Sequence, residues 1–454
     1  MPFVSTNPAT EEEVARFATH RPEEIEQILE SAHRAYVRWG GASARERAAL
    51  LRSVADLLES EVPVVAALMT SEMGKTFAAA KGEAMKCVMT LRYFADNGPE
   101  LLDEESITTS GSRSGVRYEP LGVIFAVMPW NFPLWQVVRM AAPTLIAGNV
   151  VAFKHAPNVP SCAKYLESLF VRAGVEPGVV SNLFVEIEDV PAIIADRRVV
   201  GVTLTGSERA GRVVASLAGS HLKKCVLELG GSDPFIVAPS ADLERTVAMA
   251  VTARIQNNGQ ACIAAKRFIV VRERADEFVD GFVTAMAAVR TGDPMDPATE
   301  LGPLVSRAQR DLLDAQVTSS AAAGAAVLTG GVVGGERGYY YPATVLRDVP
   351  ETSRAAREEL FGPVAVVHVV GDLDEAIRVA NDTPWGLGGS IWARDEDEID
   401  RAIRGLTVGT VFANAIVASM PELPFGGTKN SGFGRELSVA GTREFTNVKS
   451  YFVA

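Results

Sequence analysis

The stretch GVIFAVMPWNFPLWQVVRMAAPTLIAGNVVAFK, Gly122–Lys154, contains a short apolar run, a helix-like segment and a second apolar run. Uninterrupted apolar runs such as GVIFAVMP and VVAFK are typical of parallel strands that are buried on both faces. A strand, a helix and a second strand in this order form a βαβ unit, whose two strands lie parallel in one sheet. The stretch therefore predicts an α/β fold.

The same alternation continues towards the C-terminus. The further strand-like runs are NLFVEI, VVGVTLTG, KKCVLELGG, PFIVAP, RFIVV and FGPVAVVHVV. Helix-like segments separate these runs, starting near Ser161 and covering Glu208–Leu217 and Asp242–Gln256. We predict two α/β domains with twisted parallel sheets, joined near Gly230–Ser232.

The N-terminal part instead predicts helices. In SARERAALLRSVADLLES, Ser43 and Glu46 have the spacing of a capping box. The apolar residues that follow recur at helical spacing and predict one buried helix face; they are Leu50, Leu51, Val54, Leu57 and Leu58.

Composition narrows the classes of function. The 454-residue chain has a formal net charge of −12, which argues against nucleic acid or an anionic membrane as a partner. Its four cysteines and five histidines lack metal-type spacing, so no metal site is predicted. The N-terminus lacks a secretory signal pattern, and prolines and polar residues interrupt the most apolar region, Leu121–Phe153. We expect a cytoplasmic protein without a membrane span.

Cys262 lies in QNNGQACIAAKR, Gln256–Arg267, between a predicted helix and a predicted strand. A thiol at this position suits a nucleophile presented into a cleft, provided that its surroundings favour the thiolate. A free cysteine is also commonly a small buried core residue. The polar residues before it favour the first interpretation without excluding the second.

Glu228 and Asn131 each follow a strand-like run. Burial at the end of VLELGG would raise the pKa of the Glu228 carboxyl into the range of a general base, although a solvated glutamate fits the same position. Asn131, in VMPWNFPLW, has a side-chain amide that can stabilise an oxyanion. It also fits a turn, because Pro129 and Pro133 flank it.

LTGSERAG, Leu204–Gly211, joins a strand to the start of a helix, where backbone N–H groups near Gly206 and Ser207 can hold a phosphate. It lacks the GxGxxG spacing and is weak evidence alone. Lys154 ends another strand at the edge where open α/β sheets bind ligands. It would face a ribose or a phosphate there, or solvent.

Together these motifs resemble those of the aldehyde dehydrogenase superfamily, in the same order and over nearly the whole chain. The motifs are VMPWNFP, VVAFK, LTGSERAG, LELGG, NNGQAC, EELFGP and PFGGTKNSGFGRE. By this resemblance Cys262 is the nucleophile, Glu228 the general base and Asn131 the amide that binds the oxyanion. The implied substrate is a small aldehyde.

The resemblance also implies a domain plan. A Rossmann-like cofactor domain would cover residues 1–97 and 118–230, and a catalytic domain residues 231–430. Residues 98–117 and 431–454 would form a small oligomerisation extension. The implied assembly is a homodimer or a homotetramer.

A nicotinamide cofactor is implied as well. The residues matched to cofactor contacts are Trp130, Lys154, Gly206, Ser207, Glu359 and Phe361. NAD-preferring relatives often carry a glutamate three residues after the lysine, whereas this chain has Pro157. Because no acid would repel a 2′-phosphate there, we predict NADP as the cofactor, with NAD as the alternative.

The substrate prediction rests on NNGQACIAAKRF and LELGGSDPF, which resemble the succinate-semialdehyde branch of the family. Arg139 matches an arginine that binds the distal carboxylate, through a planar fork suited to that group. Ser419 matches a serine that helps to bind the same carboxylate, although Met420 competes with it for that position in the alignment. Gln256 replaces a second arginine of some relatives, which leaves a less basic pocket. The alternatives are a broader aldehyde dehydrogenase, a CoA-acylating enzyme and a non-catalytic binding protein.

Overall fold

The computed structural model describes residues 2–335 and 337–454. The helices are α1 Pro22–Gly41, α2 Ala44–Ser60, α3 Val62–Met73, α4 Phe77–Asn97, α5 Trp135–Ile146, α6 Pro160–Arg172, α7 Val190–Ala195, α8 Glu208–Ser220, α9 Leu243–Ile255, α10 Arg272–Ala287, α11 Arg307–Ala322, α12 Arg354–Arg357, α13 Leu373–Asn381, α14 Glu396–Gly405 and α15 Ser438–Glu444. The strands are β1 Phe3–Thr6, β2 Glu13–Phe17, β3 Glu105–Ser106, β4 Arg113–Pro120, β5 Val123–Val127, β6 Val150–Lys154, β7 Val180–Asn182, β8 Val199–Thr205, β9 Lys224–Glu228, β10 Pro234–Val237, β11 Arg267–Val271, β12 Ala326–Thr329, β13 Thr344–Arg347, β14 Val364–Val370, β15 Trp385–Gly386, β16 Gly388–Trp392, β17 Thr410–Ala413, β18 Thr428–Lys429, β19 Gly432–Phe433 and β20 Thr446–Val453.

The first α/β sheet has the strand order β19-β9-β8-β5-β6-β7. All neighbours pair parallel except β19, which runs antiparallel to β9. The register pairs Val127 with Lys154 and Thr205 with Glu228, so these strands end at one edge. The fold therefore brings the segments that follow β5, β6, β8 and β9 to the same edge of the sheet. This carboxyl edge is where α/β proteins bind ligands.

The run NLFVEI, predicted as a strand, does not form one. The strand β7 ends at Asn182, and the chain then leaves the sheet. The Phe184 ring packs against the rings of Phe3 and Phe17, with centroids 5.2 Å away in each case. The Phe184 carbonyl accepts a hydrogen bond from the His20 backbone N–H at 2.7 Å. The prediction was wrong because this apolar run is buried by N-terminal residues instead of by neighbouring strands.

The second α/β sheet has the order β12-β13-β14-β11-β10-β16-β17. Its strands pair parallel except for β12, which is antiparallel to β13. Buried aromatic residues between its strands and helices include Phe235, Phe268 and Trp392. The prediction of an α/β fold with two parallel-stranded sheets is confirmed.

A smaller antiparallel sheet has the order β20-β4-β3 and joins the C-terminal tail to the segment around residues 105–120. The tail also contributes β19 to the edge of the first sheet. The predicted domain boundaries and the oligomerisation role of these segments stay predictions.

The capping box at the start of α2 is present as the sequence predicts. The Ser43 hydroxyl accepts from the Glu46 N–H at 3.2 Å, and the Glu46 carboxylate accepts from the Ser43 N–H at 2.7 Å. The apolar face behind it is fully buried at Leu51, Val54 and Leu58. Within the described ranges, no helix is long and apolar enough to cross a membrane.

Candidate active site

The residues before Cys262 form a loop with unusual backbone angles. Asn257, Asn258 and Gly259 have φ of 54°, 57° and 74°, which is left-handed backbone. Asparagine and glycine adopt this conformation more readily than other residues. A Cβ on Gly259 would also lie 2.4 Å from the Gly362 carbonyl carbon. The sequence NNG is therefore required by the turn that delivers Cys262 from α9.

Side-chain amides hold this loop in place. The Asn258 Nδ2 donates to the carbonyls of Gly74 and Pro303, both at 2.9 Å, and its Oδ1 accepts from the Gly302 N–H at 2.9 Å. The Gln260 Oε1 accepts from the Val305 backbone N–H at 3.0 Å. These polar residues thus have a structural role in positioning the thiol, which their sequence pattern did not specify.

Asn131 lies beside the Cys262 loop. Its side-chain Nδ2 donates to the Gln260 backbone carbonyl at 3.0 Å. Its backbone carbonyl accepts from Lys75 Nζ at 2.9 Å and from Asn257 Nδ2 at 2.8 Å. A primary amide has two N–H groups, so one remains available to a ligand. Asn131 and Cys262 line the same cavity, which fits an oxyanion site made by this amide and the Cys262 backbone N–H.

Cys262 lines two cavities, and Gln136 is the other residue that lines both. Burial raises the pKa of the thiol to about 11, while the positive charges of Arg139 and Lys266 lower it. The Lys266 ammonium also donates to the Cys262 carbonyl at 2.7 Å. The thiol at rest is therefore protonated, and it needs a proton acceptor to become a nucleophile.

Glu228 supplies a carboxylate in the same cavity as the thiol. It ends β9, is buried, and neither carboxyl oxygen has a hydrogen-bond partner within residues 2–335 and 337–454. Burial raises the pKa of this carboxyl well above its usual value, and the nearby Arg139 guanidinium opposes the shift. A buried carboxyl with a raised pKa and unpaired oxygens is suited to general-base chemistry.

The cavity that contains Glu228 is also lined by most of the residues predicted to bind the cofactor, namely Trp130, Gly206, Ser207, Glu359 and Phe361. The Trp130 and Phe361 rings meet edge to face, with centroids 5.6 Å apart. Ser207 is the N-cap of α8, and its hydroxyl accepts from the Ala210 N–H at 3.3 Å. Since Gly206 and Ser207 line the cavity, α8 begins at its wall, a position that suits phosphate binding.

Glu359 is held against the LELGG motif. Its carboxylate accepts from the Gly231 N–H at 3.3 Å and lies 3.2 Å from the Lys266 ammonium. A Cβ on Gly230 would lie 2.4 Å from the Glu359 carboxylate. Glycine is therefore required for this close approach, and Glu359 links the cofactor cavity to Lys266 and, through it, to Cys262.

Lys154 and Pro157 lie at the end of β6, outside that cavity. The Lys154 ammonium is buried 5.5 Å from the centre of the Phe3 ring. Burial lowers its pKa, while the charges of Glu186, Asp189 and Glu188 raise it. Pro157 is exposed. The site thus has a cation at the strand end and no acid three residues beyond it, as expected from the sequence.

The second cavity at Cys262 encloses about 250 Å³, just below the usual range of ligand pockets, so a small molecule fits it best. Its walls are mainly apolar, and the apolar lining residues are Ala79, Phe132, Trp135, Ile263, Ile416, Val417, Ala418 and Phe425. Arg139 and Ser419 line it too, together with Gln256. Met420 is 41% exposed and does not line the cavity, whereas Ser419 does, and the assignment of Ser419 as a carboxylate ligand stays a prediction.

Arg139 is not free within this cavity. Its side chain is 1% exposed, its Nε donates to the Glu436 carboxylate, and its Nη2 donates to the Thr205 hydroxyl at 3.2 Å. The guanidinium also lies 4.7 Å from the centre of the Phe425 ring. Its role as a carboxylate ligand stays a prediction.

Two lysines at the site were missed by the sequence reasoning. Lys266 contacts Glu359 and the Cys262 carbonyl, and Lys86 lines the apolar cavity from α4. Gly82 and Lys86 lie four residues apart on one face of this helix. The spacing alone does not reveal which helix face meets the cavity. In the described part of the chain, no cluster of His, Cys, Asp and Glu could hold a metal ion.

Known proteins match this chain over nearly its whole length. The sequence profile of the aldehyde dehydrogenase family matches residues 2–451. The succinate-semialdehyde dehydrogenase [NADP(+)] 1 of Mycobacterium tuberculosis is 50% identical over 457 residues, covering 100% of both chains. The corresponding enzyme of Mycobacterium leprae is 48% identical, again covering 100% of both chains. The crystal structure of succinic semialdehyde dehydrogenase from Streptococcus pyogenes with NADP+ superimposes with a TM-score of 0.97 at 37% identity, covering 99% of each chain.

Proposed function

The chain belongs to the aldehyde dehydrogenase family, and we propose that it oxidises succinate semialdehyde to succinate with NADP+. The observation that carries the proposal is the position of Cys262, which lines both an apolar cavity and the cavity that contains Asn131, Glu228 and Glu359. A thiol at such a junction can hold an aldehyde that enters from the apolar cavity, while a cofactor in the other cavity would accept the hydride.

The cofactor cavity fits a nicotinamide dinucleotide. In this cavity Gly206 and Ser207 would hold the phosphates and Glu359 a ribose, with Trp130 and Phe361 as walls. Lys154, outside the cavity at the end of β6, would hold the 2′-phosphate. NADP+ supplies the acceptor for the hydride that leaves the carbon bound to Cys262. The Lys154 ammonium at the end of β6 and the lack of an acid at Pro157 support NADP+ over NAD+.

Cys262 begins the reaction as a nucleophile. Its proton passes to a base, and the thiolate attacks the aldehyde carbon to form a thiohemiacetal. The charge that develops on the former carbonyl oxygen is stabilised by the second N–H of the Asn131 amide and by the Cys262 backbone N–H. Because Asn131 is bonded to the Cys262 loop at the Gln260 carbonyl, the two donors are set in advance of the reaction.

Glu228 completes the reaction at the thioester that follows oxidation. Its unpaired carboxylate oxygens can remove a proton from water, which then attacks the thioester carbon and releases the acid and the Cys262 thiol. This base supports hydrolysis over transfer of the acyl group to CoA. Measuring acyl-CoA formation in the presence of CoA tests that alternative.

The main experiment compares aldehydes and cofactors with the purified protein. NADPH formation is measured with succinate semialdehyde, glutarate semialdehyde and butanal, and each is repeated with NAD+. We expect the highest kcat/KM for succinate semialdehyde with NADP+. Equal values for all the aldehydes would replace the proposal by a broad aldehyde dehydrogenase, and comparable kinetics with NAD+ would overturn the cofactor assignment.

We also propose that the chain acts in the cytoplasm as a homodimer or homotetramer. The antiparallel sheet β20-β4-β3 supports an assembly role, since its strand β20 exposes Val448 and Phe452, each by 58%. Light scattering in solution tests this, and a monomer at all concentrations would reject it.

A further inference from the structure

Gln136 lies at the junction of the two cavities that meet at Cys262, and it lines both of them. It is only 1% exposed, yet its side-chain Oε1 has no hydrogen-bond partner within residues 2–335 and 337–454. Burying an oxygen without a partner costs free energy, and such an oxygen in a native protein calls for a specific explanation. Because Gln136 faces both cavities, this acceptor oxygen is placed where a reactant can donate to it.

The fold places Gln136 near Glu228. Gln136 lies in the first turn of α5, and Arg139, three residues further along the same helix face, donates to the Thr205 hydroxyl at 3.2 Å. Thr205 is the register partner of Glu228 in β8 and β9, and both residues line the cavity that Gln136 lines. The Glu228 carboxyl is buried as well, and its two oxygens lack partners among the described residues. The start of α5 and the end of β9 thus bring unpartnered acceptor oxygens to one cavity beside Cys262.

The reactant that suits two acceptor oxygens must carry two hydrogen-bond donors. In the thioester on Cys262 the sulfur has no proton, and the thioester oxygen and the distal carboxylate only accept. Water has two O–H groups and is the reactant of the step that follows. A buried water needs about two to four polar partners, and Gln136 and Glu228 can each supply one.

We propose that Gln136 is a further catalytic residue that holds the hydrolytic water together with Glu228, an inference that rests on the function proposed above. One O–H of the water donates to the Gln136 Oε1 and the other to the Glu228 carboxylate. The water oxygen bonds to the thioester carbon while its proton passes to Glu228. The C–S bond then breaks with its electron pair on the Cys262 sulfur, which gives the acid and, once Glu228 returns the proton, the thiol. Gln136 changes no bond itself and orients the lone pair that attacks.

The test is the variant Gln136→Met, which removes the acceptor oxygen and keeps the length of the side chain. Rapid-mixing absorbance with saturating NADP+ and succinate semialdehyde separates the first equivalent of NADPH, which precedes hydrolysis, from the steady rate. We expect the first equivalent to form within about threefold of the parent rate and the steady rate to fall roughly tenfold, as for the loss of one hydrogen bond. The ratio of the two rates should therefore rise, which a general loss of packing would not cause.

Gln256→Met is the matched control, because Gln256 lines the apolar cavity but not the cavity that contains Glu228. Whatever its effect on KM, this variant should keep the parent ratio of the first equivalent to the steady rate. Gln136→Leu is measured beside Gln136→Met, so that poor folding of one variant does not decide the result. Added to Glu228→Gln, Gln136→Met should slow the steady rate by less than about threefold, because two residues that hold one water do not act additively.

Three results would overturn the inference. A first equivalent that slows as much as the steady rate would assign Gln136 to acylation or to packing. A steady rate within about twofold of the parent value would remove Gln136 from hydrolysis. A change confined to the KM for NADP+ would show that the nicotinamide carboxamide is the donor to Gln136. The proposed function fails separately, if the parent protein forms no NADPH with any aldehyde.

Discussion

The side-chain amide of Asn131 donates to the carbonyl of Gln260 at 3.0 Å, which joins the end of β5 to the loop that carries Cys262. The two residues are 129 positions apart in the sequence. Since Asn257 Nδ2 also donates to the Asn131 backbone carbonyl, two hydrogen bonds join Asn131 to the Cys262 loop. The structure thus places the Asn131 amide and the loop that carries Cys262 side by side.

This relationship predicts the effect of Asn131→Ala. We expect kcat to fall about 10²- to 10³-fold, as when one oxyanion donor is removed, with a loss of unfolding free energy of about 1 kcal/mol from the missing hydrogen bond. NADPH formation and urea unfolding measure the two effects. A kcat within tenfold of the parent value would show that the amide has a structural role only.

Glu228→Gln should separate acylation from hydrolysis. Because the general base is lost while the shape is kept, we expect a burst of NADPH followed by turnover that is about 10²- to 10⁴-fold slower. Rapid-mixing absorbance measures the burst and the steady rate. A steady rate equal to that of the parent protein would assign the base to another residue.

The same variant has a predicted effect on stability. Burial raises the pKa of Glu228 in the folded state, so its contribution to stability is present below the unfolded pKa and is lost as the pH rises through the folded pKa. Glu228→Gln should therefore be more stable than the parent protein, by a margin that grows with pH. Urea unfolding at a series of pH values measures this, and a margin that shrinks with pH would contradict it.

Asn258→Ala should destabilise the protein by about 3–5 kcal/mol, because it leaves buried backbone groups without partners and places alanine in left-handed backbone. The affected groups belong to Gly74, Gly302 and Pro303. Asn258→Gly is the matched control, since glycine accepts the same φ while losing the same bonds. The difference between the two variants in urea unfolding should be about 1 kcal/mol, and no difference would argue against backbone strain.

Because His155 is buried, we expect the unfolding free energy to fall in acid. Burial lowers its pKa to about 4, and its ring bonds the Pro133 carbonyl at 2.8 Å and the Ala156 N–H at 2.9 Å. A depressed histidine pKa contributes stability above the unfolded pKa, and that contribution is lost as the pH falls from about 6.5 to about 4, by at most about 3 kcal/mol. His155→Gln should flatten the dependence of the unfolding free energy on pH over this range. A slope equal to that of the parent protein would reject the assignment.

Much of the fold could be predicted from local patterns. Continuous apolar runs predicted β5, β6, β8, β9, β10, β11 and β14, and the predicted capping residue Ser43 precedes α2. The run at Asn182–Ile187 was misassigned because its apolar residues are buried by Phe3 and Phe17, which are distant in sequence. Hydrophobicity predicts that a segment is buried, but not which neighbour buries it.

The sequence by itself determined the family and the α/β architecture, and it supplied the proposal for the reacting centre, because Cys262, Glu228 and Asn131 lie in short motifs that are recognisable locally. Only the tertiary structure decided the charge environment. The pairs Arg139–Glu436 and Lys86–Ser419 join residues 297 and 333 positions apart, and they leave Lys86 rather than Arg139 without a counter-charge among the described residues. The physical reason is that the field at a site depends on which charges packing brings within a few ångströms, and sequence spacing does not specify those distances.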